Sequence, residues 1–467
     1  MDNRNRTRSI KYCNIKTSIN KLIYNIVILG SGESGTGAAL LAKMKGISVF
    51  VSDKNVIAQK YKDELIQNEI PYEEGKHSEE IILNANEIIK SPGIPHKVEI
   101  IQKAIEKNIP IISEIEFAYR YKENSKIICI TGSNGKTTTT SLCYDMFKKA
   151  NYDVSIVGNI GYSFARQISM HPTAWYVMEI SSFQLDDIIN FRPDIAVITN
   201  ITPDHLDRYN YDFSLYVKSK FKIAKNQKEN DTLILCKDDP ATNEYLEKYK
   251  LTPKIQFFTM KEQLRSNGAY INQNEMIFNV NGEPFSISIN ELALKGKHNQ
   301  YNSMAAGISS RVAEIRNSAI RESLKTFVAL EHRMETVAYI RGIEFINDSK
   351  ATNLNSVWYA LESMTKPVIL ILGGVDKRND YSEIVDLVKE KVKAIVCMGV
   401  DNSPIVKAFN EMVEVVETHN IRDAVSEAYK LAKTGDCVLL SPACASFDLF
   451  KNYEDRGEQF KNTVRAL

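Results

Sequence analysis

Apolar residues fall in short runs that stop at glycine or at an acid. The run YNIVILG (24–30) is continuous and β-branched, the pattern of a strand buried on both faces of a parallel sheet. Helical spacing follows in AALLAKMKG, and a second strand in SVFVSD. Strand, helix, strand makes a βαβ unit with a right-handed crossover. The alternation continues through EIIKSPGIP and PIISEIEFAYRY. A second block opens at KIICITG and runs through WYVMEI and DIAVITNIT; a third carries KPVILILGG, AIVCMGV and CVLLSPA. The pattern predicts an α/β chain of three consecutive domains with mainly parallel sheets. Between about 231 and 290 the short runs and Gly/Asn turns predict antiparallel sheet appended to the central domain. The polar break KENSK and the segment LEHRME set the expected bounds: 24–121, 122–329 and 330–467.

Length agrees, since 467 residues at about 150 per domain make about three domains. Residues 1–23 differ: basic and without an apolar core, they read as a disordered extension or a misplaced start rather than a secretory signal. Lys+Arg minus Asp+Glu is 59 − 58 = +1, which argues against a non-specific binder of nucleic acid or membrane surface. No apolar run approaches the roughly 20 residues that span a bilayer. The seven scattered cysteines form no Cys-x-x-Cys pair and suit free thiols in a reducing, cytoplasmic compartment.

Three clusters carry chemistry, all in the central block. ITGSNGKTTTT (130–140) follows a strand and opens a helix. Gly132, Ser133, Asn134 and Gly135 permit a curl that aims backbone N–H groups at an anion. Lys136 adds a point charge for phosphates, and Thr137 or Thr138 a hydroxyl for magnesium. Only Ser133 and Asn134 separate the glycines, a shorter turn than the usual P-loop. Glu179 ends the strand YVME, where a carboxylate can hold magnesium or merely cap. His205 lies in NITPDHLDRY as a metal ligand, an orienter of one, or a structural histidine. Lys220 is one lysine among several on a helix, which by itself reads as solvated. Together the clusters make an ATP–magnesium site.

The first block offers a competing reading. Gly30-Ser-Gly32-Glu-Ser-Gly35 follows a strand, and Asp53 ends the next strand about 20 residues on, the dinucleotide fingerprint. An NAD-linked oxidoreductase would use it, but leaves the central turn without a role. The same glycines can cradle the diphosphate of any nucleotide.

In order along the chain stand ITGSNGKTT, YVMEISSFQLD, NITPDHLDRY, GKHNQYN, LEHRME, INDSKATN, LGGVDK and SPACASFDLFKNYEDRGEQF. This series resembles the Mur ligase family from about residue 24 to the end. The resemblance implies a Rossmann-like first domain, a P-loop ATPase-like second and a Rossmann-like third. INDSKATN and SPACASFDLFKNYEDRG are its specific segments, and imply addition of D-glutamate to UDP-N-acetylmuramoyl-L-alanine with ATP, through an acyl phosphate, in peptidoglycan synthesis. A sibling ligase for another amino acid is the alternative within the family.

The resemblance also implies roles. Lys136 contacts the β- and γ-phosphates, with Gly132 to Thr138 around them. Asn299 and Asn302 approach adenine, and Arg333 and Asp348 reach phosphates and ribose. Two magnesium ions are implied, one on Thr137 or Thr138 with Glu179, one on His205 and Lys220, the last carbamylated. D-Glutamate falls to Lys350, Thr352, Lys377, Ser446, Phe447 and Tyr453. The UDP substrate falls to Gly32, Ser34, Gly35, Asp53, Ser91 and Gly93, with Asn159 positioning substrate or metal. Glu33, within the glycine turn, would repel a diphosphate unless it points to solvent. A monomer whose last domain closes onto the central one is expected.

Overall fold

A computed structural model describes residues 24–265, 267–282, 284–328 and 331–467. The basic extension 1–23, and Cys13 with it, lies outside the described residues. The described chain forms two compact units, the first closing at Ile112 and the second running from Ser113 to Leu467.

The first unit is a five-stranded, all-parallel sheet. Its strands are β1 (Ile26–Leu29), β2 (Val49–Asp53), β3 (Tyr72–Glu74), β4 (Glu87–Lys90) and β5 (Ile111–Ile112), in the order β3-β2-β1-β4-β5. The order reverses beside β1, and the glycine turn sits at that strand's carboxyl end, the usual ligand crevice of such sheets. Gly35 lies in the first turn of the helix Glu33–Met44, where a Cβ would stand 1.9 Å from the Gly30 carbonyl oxygen. Only glycine lets helix and turn approach this closely. Asp53 holds the turn by accepting from the Ser31 N–H at 2.8 Å and hydroxyl at 2.7 Å.

The second unit contains two sheets. The larger comprises β6 (Lys126–Thr131), β7 (Val154–Gly158), β8 (Trp175–Glu179), β9 (Ile195–Ile198), β10 (Thr232–Cys236), β11 (Lys254–Thr259), β12 (Gly268–Asn272), β13 (Glu275–Asn279) and β14 (Phe285–Ser288). Its order is β14-β13-β12-β11-β10-β9-β6-β8-β7, so β6 is an interior strand between β9 and β8. Ile127 to Ile130 are fully buried, as a strand covered on both faces must be. Over β6 the helix Lys136–Lys149 packs Leu142, Met146 and Phe147 into a core shared with Ala305 and Ile308 of the helix Lys297–Val312. Each such side chain contributes about 1.5–3 kcal/mol when withdrawn from water.

The expected antiparallel stretch is shorter than predicted. β10 and β11 pair in parallel, because Asp239 caps a helix (Pro240–Lys248) that carries the chain back across the sheet. Within this sheet antiparallel pairing is confined to β12–β13–β14, with a two-residue turn at Gln273 and Asn274 between β12 and β13.

The smaller sheet comprises β15 (Glu335–Ile340), β16 (Ile343–Asn347), β17 (Val368–Leu372), β18 (Val392–Met398), β19 (Glu414–Thr418) and β20 (Cys437–Leu440). Its order is β15-β16-β20-β17-β18-β19, parallel except for the β15–β16 hairpin. The six described cysteines are all free and buried. No helix among the described residues is long and apolar enough to cross a membrane.

Glu116, on the helix Glu114–Tyr119, is wholly buried. Its carboxylate accepts from the backbone N–H groups of Ile189, Asn190 and Phe191 at 2.8–3.0 Å. Truncation leaves three backbone donors without this acceptor, that of Phe191 in the interior. Glu116→Ala is expected to destabilise the second unit by about 2–3 kcal/mol, read as a lower urea midpoint; an unchanged midpoint would show that water replaces the carboxylate at no cost.

Candidate active site

The turn after β6 is built by backbone conformations that side chains resist. Gly135 has φ +82°, and a Cβ there would meet Asn302 Oδ1 at 2.2 Å. The loop after β9 braces the turn. Asn134 N–H donates to Asn200 Oδ1 at 3.0 Å, Thr199 Oγ1 donates to the Asn134 carbonyl at 2.6 Å, and Ser133 Oγ donates to the Thr202 carbonyl at 2.8 Å. Lys136 folds back over the turn, donating to the carbonyls of Gly132 at 2.8 Å and Ser133 at 2.7 Å. Burial lowers its pKa against the pull of Glu179 and Asp204.

Lys220 is not solvated. It is 1% exposed on the helix Phe213–Phe221, and its Nζ donates to the same Gly132 carbonyl at 2.8 Å while standing 4.5 Å from the centre of the Tyr216 ring. Burial, reinforced by neighbouring Lys136, holds its pKa well below the ordinary lysine value. Glu179, at the end of β8, is also 1% exposed. Its Oε1 accepts from Asn159 Nδ2 at 2.7 Å; its Oε2 is buried with no partner among the described residues. Glu179 is close enough to favour the protonated forms of Lys136, Lys220 and Lys350 alike. His205 sits in the left-handed region (φ +53°), edge-on to the Phe183 ring and 3.6 Å from Asp204. Sequence reasoning passed over Asp204. Although burial raises its pKa, His205 and Lys377 together hold it below the usual carboxylate value.

The third sheet's loops complete the site. Lys350 Nζ donates to Thr137 Oγ1 at 2.9 Å, and Arg333 Nη2 lies 3.5 Å from the same oxygen. Burial, then Arg333, brings the Lys350 pKa down to about 8. Asp348 accepts from Ser441 Oγ at 2.9 Å, and burial pushes its pKa up to about 7. Asn134, Gly135, Thr138, Asn302, Arg333 and Asp348 line one cavity of about 210 Å³, with Asn299 at its wall. Other expected residues lie beside it. Lys377 Nζ is 3.6 Å from Asp204 Oδ1, and Lys350 Nζ stands 5.2 Å from the Tyr453 ring centre. Ser446 is buried, whereas Phe447 is 73% exposed. Arg456, also unforeseen, is fully buried and donates to the carbonyls of Ser349, Gly373 and Cys444, fixing three loops together. In the first unit, Gly32, Ser34, Gly35, Asp53, Ser91 and Gly93 gather at the carboxyl ends of β1, β2 and β4, and Glu33 there is half-buried.

Among the described residues no three His, Cys, Asp or Glu side chains converge into a metal cluster. The donor set nevertheless suits a hard dication whose remaining ligands are phosphate oxygens and water. Glu179 Oε2 is a buried oxygen acceptor without a partner among the described residues, and the Thr137 hydroxyl lies at the start of the helix Lys136–Lys149.

Three family models match the chain. Residues 24–113 match the MurD-like N-terminal domain of Mur ligases, 130–309 the Mur ligase middle domain, and 332–444 the Mur ligase glutamate ligase domain. A UDP-N-acetylmuramoylalanine--D-glutamate ligase of Porphyromonas gingivalis is 50% identical over 96% of this chain and 100% of its own. One from Bacteroides fragilis is 53% identical over 95% and 99%. Among solved structures, a pseudomurein peptide ligase type C from Methanothermus fervidus shares the fold, with TM-score 0.62, 20% identity and coverage of 95% of this chain and 99% of that one.

His298, at the cavity wall, has a buried Nδ1 without a partner among the described residues; burial, then Arg333, lowers its pKa to about 4. The unfolded imidazole takes up a proton below about pH 6.5, and the native one only near pH 4. The stability that His298 contributes is therefore present above about pH 6.5 and lost as pH falls towards 4. In His298→Asn the drop in denaturation midpoint from pH 7 to pH 5 should be smaller than in the parent; an equal drop would mean the imidazole titrates normally.

Proposed function

The chain belongs to the Mur ligase family, and from that premise we propose that it joins D-glutamate to UDP-N-acetylmuramoyl-L-alanine, converting ATP to ADP and phosphate, in peptidoglycan precursor synthesis. Near full-length likeness to ligases of that specificity supports the substrates. The structural observation that carries the chemistry is the phosphate turn, where Lys136 and Lys220 meet on one carbonyl beside the unpartnered oxygen of Glu179.

The work divides among three segments: 24–121 holds the UDP moiety at Gly32, Ser34, Gly35, Asp53, Ser91 and Gly93; 122–329 holds ATP; 330–467 holds D-glutamate. Lys136 exchanges its two carbonyl partners for β- and γ-phosphate oxygens, with Gly132 to Thr138 around them; the N–H groups left to donate are those of Gly135 to Thr138 at the helix start, since Asn200 takes those of Ser133 and Asn134. Asn299 and Asn302 meet adenine, Arg333 a phosphate and Asp348 the ribose. The substrate carboxylate attacks the γ-phosphorus and ADP leaves. The amine of D-glutamate then attacks the acyl carbon, and phosphate leaves. Phosphate is the better leaving group than an oxyanion, so the chain's task is positioning and charge neutralisation.

Thr137 or Thr138 with Glu179 would hold one magnesium ion, and His205 with carbamylated Lys220 a second; when bound, the ions neutralise triphosphate charge and polarise the carboxylate under attack. The low pKa of Lys220 favours the neutral amine, the form that adds carbon dioxide and releases a proton to become an oxygen donor. Asn159 orients Glu179 through its 2.7 Å hydrogen bond. Lys377 exchanges Asp204 for a D-glutamate carboxylate, with Thr352, Lys350, Ser446, Phe447 and Tyr453 around the substrate. We place this reaction in the cytoplasm and expect a monomer.

Phosphate release with ATP, magnesium and UDP-N-acetylmuramoyl-L-alanine tests the reading across D-glutamate, L-alanine, L-lysine and meso-diaminopimelate. Turnover is expected with D-glutamate alone; turnover only with another amino acid would make the chain a sibling ligase. Lys220→Ala should lower kcat at least about a hundredfold with the unfolding midpoint unchanged. Near-parental turnover would leave Lys220 a packing residue.

A further inference from the structure

The phosphate turn is held from two sides. Its backbone is committed to the central sheet, since Asn134 N–H and carbonyl are both taken by Asn200 and Thr199. The Asn134 side chain is instead used up by the helix Leu354–Ser363 of the third sheet. Asn134 Nδ2 donates to Asn355 Oδ1 at 2.8 Å. Its Oδ1 accepts from Ser356 Oγ at 2.8 Å and from Asn353 Nδ2 at 3.3 Å. Asn353 meanwhile caps that helix, accepting from Ser356 N–H at 2.9 Å. Lys391 fixes the helix's other end by donating to the carbonyls of Leu361, Glu362 and Met364. One rigid helix thus grips the one side chain that the glycine turn extends towards it.

We propose that Asn355 is a positioning residue of the ligase reaction, acting through Asn134 to set the phosphate turn when the helix Leu354–Ser363 is docked on it. Asn355 does not line the cavity, whereas Asn134 does. Its effect on turnover is therefore transmitted, not exerted on substrate. The contact joins segments 221 residues apart, so it exists only in the docked arrangement. Loss of an interaction of that kind lowers kcat and kcat/KM together and leaves KM alone.

The inference rests on the ligase reading, and the assay separates the two. In the full chain, Asn355→Ala should lower kcat by about tenfold, with KM for ATP and for D-glutamate within about twofold and the unfolding midpoint unchanged. Asn355→Asp, which keeps an acceptor oxygen for the Asn134 amide, should recover most of the loss. Parental kcat in N355A, a loss confined to KM for ATP, a matching fall in the unfolding midpoint, or N355D as slow as N355A would each overturn the proposal. A parent chain that releases no phosphate with D-glutamate would overturn the ligase reading instead.

Discussion

The Gly132 carbonyl accepts from two lysines, Lys136 and Lys220, and the site depends on that convergence. Burying an ammonium group costs several kcal/mol unless the protein replaces the lost hydration. Here the replacement is incomplete. Lys136, Lys220, Lys350 and Arg333 crowd a region where Glu179, Asp204 and Asp348 are the facing acids. The titration directions record the strain: the three lysines are all pulled towards neutrality. Asp348 is pushed the other way, burial outweighing the guanidinium beside it. An arrangement short of negative charge at a turn of backbone N–H groups is matched by a polyanion. Glu179 is fixed by Asn159 through one oxygen, and its second oxygen has no partner among the described residues.

That convergence is a product of sheet order. β6 lies between β9 and β8 and pairs in parallel with both, so the turn after β6, Glu179 at the end of β8 and the His205 loop after β9 meet at the carboxyl ends of these strands. The helix carrying Lys220 is tied down there too. Asp186, from the helix after β8, accepts from Ser219 Oγ and Lys222 Nζ, which flank Lys220, and from the Tyr209 hydroxyl beyond His205. The phosphate turn, the acid and the lysine helix are therefore held by neighbouring connections of one parallel sheet rather than by distant loops.

Much of this was legible in the chain. ITGSNGKTT predicts its own turn, because glycines at 132 and 135 and a following helix leave few conformations open. Glu179 was legible as a strand end. Lys220 was not, since a lysine's burial depends on what covers its helix face. The signal lay in its neighbours: Tyr216 and Val217 stand one turn earlier on the same face, and both are buried. Asp204 was hidden by the more conspicuous His205 beside it. Asn353, Asn355 and Ser356 look like ordinary helix-start residues, and only tertiary contact reveals that they reach Asn134. The misread stretch at 231–290 has a similar origin. The β10–β11 pairing is set by a helix beginning at Pro240, and short apolar runs separated by polar turns do not distinguish that crossover from a hairpin.

The hydrogen bonds within the chain also bear on how phosphate would enter. Lys136 is satisfied by two carbonyls and Lys350 by the Thr137 hydroxyl. Exchanging these for phosphate oxygens trades one set of hydrogen bonds for another, and such exchanges are nearly neutral in number. The net gain must come from charge: each neutral acceptor is replaced by an anionic one, which adds direct attraction between opposite charges to the hydrogen bond. The lysines are also returned towards their protonated forms. Affinity for the triphosphate is then governed less by new contacts than by relief of the cationic crowding that β6, β8 and the Lys220 helix impose. The residues that hold the crowd in place matter as much as those that touch the ligand.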